Sequence, residues 1–215
     1  MRSALVITKI APQKNRPERK SVYINGKFAF GATEDFVCEY SLEEEKRLTA
    51  FELKKILWAV DKEKLKERAY RLLSFRPRSE KELRQKLRLK GAGAKLIEEV
   101  VGELKTRGLI DDQKFAQSWA ESRMANKPMG KFLLKRELLQ KGIQKETIEK
   151  VVRDTYAEAD EVELARNLLR RKARMYKNPE DVKIKKRMAD FLLRRGFSYD
   201  VVRQAIKGIG ELIEA

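Results

Sequence analysis

Three times along this chain a basic helix ends in a cation followed by glycine, and the apolar residues around each glycine keep one register. The segments are ELRQKLRLKG (82–91), LLKRELLQKG (133–142) and RMADFLLRRG (187–196). Leu87, Leu138 and Leu192 stand four residues before the glycines, and Leu83, Leu134 and Met188 stand eight before. Ile97, Ile148 and Val202 follow six residues after, and Val101, Val152 and Ile206 ten after. Steps of four place side chains on one face of a helix. Gly91, Gly142 and Gly196 lie 51 and 54 residues apart, so most of the chain reads as one helical unit used three times.

The expected fold is mainly α: tandem three-helix units in an elongated, curved array, with a small N-terminal sheet. Four regions follow: 1–60 with a β-hairpin and short helices, then repeats over 61–110, 111–156 and 157–215. In the first region, Ala4 to Ile10 reads as a strand, APQKNRPERK (11–20) as a loop, and Val22 to Phe30 as a hairpin turning at Asn25-Gly26. About three strands are expected, ending at Gly31. Ser41-x-x-Glu44, Thr49-x-x-Glu52 and Ser79-x-x-Glu82 have the capping-box pattern. A boundary is placed near Asp61. Asn178-Pro179 is expected to open the second helix of the third repeat.

Each cation–glycine junction has a sufficient local reading. Glycine takes the left-handed position past a helix end, and Lys90, Lys141 or Arg195 favours the negative end of the dipole. On this reading the junctions are punctuation and touch nothing. Asp111 or Asp112 is expected to cap the next helix, with Leu109 and Ile110 in the core, rather than to bind a metal. Phe115 and Trp119 are expected in the core.

Composition narrows the function. The 215 residues carry 50 Lys and Arg against 33 Asp and Glu, a formal net charge of +17, which draws a protein to polyanions. Histidine is absent, removing the commonest general base and metal ligand. Cys38 is the single cysteine, so no intrachain disulfide or cysteine-based zinc site forms, and it is expected to pack as a small hydrophobe. No nucleophile–base pair, phosphate loop or paired-carboxylate site is evident, so neither enzyme chemistry nor a cofactor is expected. No apolar run approaches membrane-spanning length, and no signal-peptide pattern opens the chain, which points to the cytoplasm.

The cations cluster. Arg166, Arg170, Arg171 and Arg174 crowd one helix, and Lys185 and Lys186 follow. Like charges four residues apart repel, which a chain tolerates where an anionic partner compensates; a solvated face is the alternative reading. Arg84 and Arg88 in the first repeat, and Lys131, Lys135 and Arg136 in the second, make the middle helices basic too. Stacked, these residues are expected to form a stripe that follows a phosphate backbone without reading bases. Tyr176 and Phe75 stand beside cations, where they can stack on bases or pack locally at helix ends.

SEKELRQKLRLKG, IEEVVGELKTRGLIDDQKFAQSWAESR and KRELLQKGIQKETIEKVV resemble the RecX regulatory family, and ITKIAPQKNRPERKSVYINGKFAFG resembles the N-terminal extension of some members. The resemblance implies tandem three-helix repeats and no catalytic residues. It further implies a monomeric modulator, mostly an inhibitor, of the RecA recombinase in DNA repair, recombination and the SOS response. Such a protein binds RecA and its nucleoprotein filament, acts on filament growth, ATP hydrolysis, strand exchange and coprotease activity, and binds single- and double-stranded DNA. The alternative is a basic DNA-binding protein of helix-turn-helix-like units that acts without RecA.

Overall fold

The computed structural model describes residues 4–89, 91–157, 159–176 and 181–207. The chain divides into two compact units, one of residues 1–74 with 87–100, the other of 75–86 with 101–215.

The N-terminal strands β1 (Leu5–Gln13), β2 (Arg16–Ile24), β3 (Lys27–Thr33) and β4 (Arg47–Leu48) form an antiparallel sheet in the order β3-β2-β1-β4. Asn25 and Gly26 turn the β2–β3 hairpin with φ of 49° and 74°, and the Asn25 side chain also bonds Val6 N–H and the Ala4 carbonyl. Ile7, Val22, Phe30, Phe36, Leu42, Ile56 and Val60 make the core beneath the sheet.

The stretch expected as a loop is strand instead: β1 and β2 pair from Ile7↔Ile24 out to Gln13↔Arg16. Both prolines sit where the ribbon is two-stranded. Pro12 lies beyond the short β1–β4 pairing, and Pro17 beyond the β2–β3 pairing that starts at Arg19. Each strand there has one edge with no strand partner among the described residues, where a missing N–H costs no ladder bond. Gly31 lies within β3, opposite Ser21, and does not end it.

Ser41 and Glu44 do not form a capping box. Ser41 follows the end of α1 (Glu34–Glu39) with φ 46°, and Glu44 instead accepts the Ile10 N–H at 2.8 Å. Cys38 is exposed at the end of that short helix rather than packed. The Thr49–Glu52 box does form: Thr49 N–H donates to Glu52 Oε2 at 2.7 Å, and Glu52 N–H donates to Thr49 Oγ1 at 3.1 Å. It opens α2 (Ala50–Phe75), a 26-residue helix that runs unbroken through Asp61.

The remaining helices fall into a pair and two sets of three. They are α3 (Glu80–Arg88) and α4 (Ala94–Thr106); α5 (Asp112–Asn126), α6 (Lys131–Gln140) and α7 (Lys145–Thr155); and α8 (Glu161–Ala173), α9 (Val182–Arg194) and α10 (Tyr199–Lys207). The apolar register holds. Leu83, Leu87, Leu134, Leu138, Met188 and Leu192 are all fully buried, and Ile97, Ile148 and Val202 nearly so. The second repeat packs Phe115, Leu134, Leu138, Ile148 and Val152 together, and the third Ala165, Leu169, Met188, Leu192 and Val202. Gly91, Gly142 and Gly196 take φ of 81°, 84° and 82°, the left-handed conformation expected past a helix end.

Asp111 caps α5, accepting from Gln113 and Lys114 N–H at 2.9 Å. Ile110 is buried, but Leu109 is 48 % exposed. Its N–H closes back on the Leu104 carbonyl after the left-handed Gly108, which turns the side chain outward. Asn178 and Pro179 lie outside the described residues, and the α9 cap is Asp181, which accepts from Lys183 and Ile184 N–H.

The glycine junctions do more than punctuate. The C-terminal end of α6 meets the N-terminal end of α3: Ser79 Oγ donates to the Lys141 carbonyl at 2.7 Å, and Lys141 Nζ bonds Glu82. The end of α9 meets the start of α6 in the same way. Gly130 N–H donates to the Arg195 carbonyl at 2.9 Å, and Phe132 N–H to the Gly196 carbonyl at 3.1 Å. In both joints an acid from the later repeat caps the earlier middle helix. Asp112 accepts Glu80 N–H at 2.8 Å, and Glu161 accepts Lys131 N–H at 3.2 Å. Orphan donors of one helix thus meet orphan acceptors of another. Gly91 has no such neighbour; a Cβ there would meet nothing.

Candidate polyanion-binding surface

The cations of α3, α6, α8 and α9 fall into two classes. The first is tied to carboxylates. Arg84 bonds Glu80 one turn back at 2.7 Å. Lys131 pairs with Glu161 at 3.1 Å and lies 5.4 Å from the Tyr156 ring. Lys135 pairs with Glu149 at 2.7 Å. Arg166 and Arg170 both approach Glu163, at 3.8 and 3.0 Å, so the repulsion expected along α8 is relieved by one acid. Arg166 Nε is buried without a hydrogen-bond partner among the described residues, a poor placement for a phosphate contact.

The second class is exposed and has no ion-pair partner among the described residues. Of the cations the sequence singles out, it holds Arg88 on α3, Arg136 on α6, Arg171 and the cap residue Arg174 at the end of α8, and Lys186 on α9. Lys185 is half-buried. Guanidinium groups held away from carboxylates are the ones free to meet phosphate oxygens, which they bind in a bidentate way. The structure thus separates residues that the sequence grouped by charge alone.

Local electrostatics lock the first joint. Burial alone would raise the Glu82 pKa, but hydrogen bonds from Arg76 and Lys141 outweigh it and hold the carboxyl below its ordinary value. Glu80 behaves alike, with burial overcome by hydrogen bonds from Lys105 and Arg84. Asp112 goes the other way, raised chiefly by burial. Burial also raises the Tyr156 phenol, with Glu161 adding to it, and that hydroxyl donates to the Met129 carbonyl at 2.7 Å.

One cluster escaped the sequence reading. Trp119 lies between Arg123, 4.5 Å from its ring centroid, and Lys141, at 4.4 Å, and its Nε1 donates to Glu137 at 2.9 Å. Glu137 and Lys141 reach Trp119 from beyond its own helix, so periodicity could not show them. Phe115 is buried and stacks on Trp119 at 5.9 Å, which places that aromatic pair against the second repeat's core. Phe75 is exposed, while Tyr176 is half-buried with Lys172 5.9 Å from its ring. Among the described residues no group of three acids or cysteines is placed to hold a metal ion, and no helix is long and apolar enough to cross a membrane.

Three-helix repeats with exposed cations, preceded in the chain by a small sheet, define a helical-repeat protein. The chain belongs to the RecX family. It matches that family's N-terminal domain over residues 5–49 and its first, second and third three-helix domains over 66–104, 111–152 and 158–206. It is 31 % identical over 201 residues to the regulatory protein RecX of Bacillus licheniformis, covering 94 % of this chain and 76 % of that one. It is 29 % identical over 202 residues to that of Caldanaerobacter subterraneus, covering 94 % and 98 %. A crystal structure of regulatory protein RecX superposes with a TM-score of 0.70 at 25 % identity, covering 94 % of this chain and 99 % of that one. RecX from Lactobacillus salivarius superposes at 0.59 with 26 % identity, covering 71 % and 99 %.

Proposed function

We propose that this chain regulates the RecA recombinase, mostly as an inhibitor, by lodging as a monomer along the RecA–DNA filament. The family, a regulatory one, supports the role. The observation that carries the binding mode is the set of exposed cations without an ion-pair partner among the described residues, Arg88, Arg136, Arg171, Arg174 and Lys186, held on or at the end of helices. Several weak phosphate contacts give avidity without a deep pocket. The action is binding, not catalysis, and slows filament growth, ATP hydrolysis, strand exchange and coprotease activity in the cytoplasm.

The test is RecA-dependent ATP hydrolysis on single-stranded DNA with stoichiometric protein added. A fall in rate is expected, and an unchanged rate overturns the proposal. Charge reversal of Arg171 and Arg174 separates the partners. It is expected to weaken direct DNA binding more than RecA binding, and to reduce the salt slope by about one for each phosphate no longer neutralised. Tight, salt-sensitive DNA binding with no effect on RecA would instead favour a plain DNA-binding role.

A further inference from the structure

Helix α2 carries a second basic surface, far in sequence from the cations above. Its residues repeat an aromatic–lysine pair: Phe51 with Lys55, then Trp58 with Lys62, each four residues apart and the pairs seven apart. Seven residues make about two turns, roughly 10.5 Å of rise, so both rings project from one face. They line an open cleft of about 740 Å³ together with Lys54 and, from α4, Lys95 and Glu99. Phe51 is 67 % exposed and Trp58 39 %. Lys55 Nζ stands 4.7 Å from the Phe51 ring centroid and Lys95 Nζ 5.7 Å from the Trp58 centroid. Glu99, the one acid in the lining, holds the indole by its edge, accepting from Nε1 at 3.2 Å, and lies 3.9 Å from Lys62.

We infer that this cleft binds single-stranded nucleic acid, with bases on the Phe51 and Trp58 rings and phosphates on the lysines. Four lysines face a single glutamate, so the site favours an anion. The alternation of ring and ammonium matches a ligand that alternates planar base and phosphate. Stacking accepts any base and needs it unpaired, which excludes a duplex. An acidic polypeptide would satisfy the lysines but supply no planar partner for the rings. The site shares no residue with the cations proposed above and its test needs no RecA, so either reading can fail alone.

The chain has two tryptophans, Trp58 and Trp119. Titration of the full chain with an oligodeoxythymidine is expected to quench tryptophan emission. Trp58→Phe should abolish that quench and Trp119→Phe should keep it. Phe51→Ala changes a side chain too exposed for the fold to depend on, and should weaken binding, read from the Trp58 quench, about tenfold. Matched duplex DNA and polyglutamate should leave Trp58 emission unchanged. Saturation by the oligonucleotide without a Trp58 change, no binding at all, or unchanged affinity in Phe51→Ala overturns the inference. Quenching by polyglutamate in place of the oligonucleotide overturns it too, and marks the cleft as a peptide surface.

Discussion

The two joints between successive middle helices have one geometry and different chemistry. In the first, α3 to α6, side chains make the connection: the Ser79 hydroxyl, the Glu82 carboxylate and the Lys141 ammonium. In the second, α6 to α9, main chain meets main chain, through Gly130, Phe132, Arg195 and Gly196. Such close backbone approach depends on the missing Cβ of the two glycines. A Cβ on Gly130 would run into the Gly196 carbonyl, and one on Gly196 into the Leu133 backbone, whereas one on Gly142 would meet the stem of the Lys81 side chain, down to its Cβ at 2.6 Å. The repeat therefore preserves the meeting of helix ends, not the residues that make it. A side-chain contact is tunable by charge and pH, whereas the backbone contacts at the centre of the second joint respond first to volume.

Gly130→Ala should have the largest effect. Its φ of −82° suits alanine, so the loss comes only from overlap with backbone that cannot swing aside. Pushing the two backbone segments apart also frees the Gly130 and Phe132 amides. The expected cost is about 3 kcal/mol. Urea unfolding should report it, and the Phe132 amide should exchange far faster. A cost below about 1 kcal/mol would show that the second joint yields as readily as a side-chain joint does.

Glu82→Gln should come next, costing about 1–2 kcal/mol because Lys141 and Arg76 lose a half-buried anion while Arg76 remains solvated. The same residue gives the first joint a pH dependence. Glu80 and Glu82 have folded pKa values below 4.5. Their contribution is complete above the unfolded carboxylate pKa and is lost as pH falls through the folded values. Asp112 has a raised folded pKa, so its burial cost is relieved by acid and offsets part of that loss. Glu82 bonds Lys141 directly across the joint, so the Glu82 contact should weaken as pH falls below about 4.3, the unfolded glutamate value. Trp119, beside Lys141, reports it: in a Trp58→Phe background its emission should shift with acid before the second joint opens. Glu82→Gln should flatten that response, and an unaltered acid response would remove Glu82 from the cause.

The helices and their buried faces were legible because they rest on local periodicity. Leu83, Leu134 and Met188 needed only a count from a glycine. The joints were not, since Ser79 and Lys141 are 62 residues apart and no spacing rule links them. One signal did exist. Adjacent acids, Asp111-Asp112 and Asp160-Glu161, open the first helix of repeats two and three. The first of each pair caps its own helix and the second caps a middle helix of the repeat before. One acid is enough for a cap, so the duplication pointed to a second donor. The cations were legible as a set, but not their division. Arg84 and Glu80 are four apart and could be paired by spacing; Lys131 and Glu161 could not. The β1–β2 ribbon was hidden because two prolines signalled a loop, and only strand order shows that the edge at each has no strand partner among the described residues.

The smallest effect isolates what a joint adds to a glycine. Gly91 and Gly142 have nearly the same backbone, φ 81° and 84°, so alanine meets the same left-handed penalty at each, about 1 kcal/mol. They differ in surroundings: open space at Gly91, the Lys81 aliphatic stem at Gly142. Gly91→Ala should therefore cost about 1 kcal/mol and leave the Ser79 hydroxyl bond intact. Gly142→Ala should cost more, by about 1 kcal/mol, because Lys81 Cβ at 2.6 Å is fixed to the α3 backbone and the helix end must give way. Urea midpoints of the two variants measured side by side give the difference directly. Equal costs would mean that α3 gives way freely at Lys81 and the first joint is held by Ser79, Glu82 and Lys141 alone. A Gly142 cost near that of Gly130→Ala would mean that close packing at the glycine, not side-chain chemistry, holds both joints.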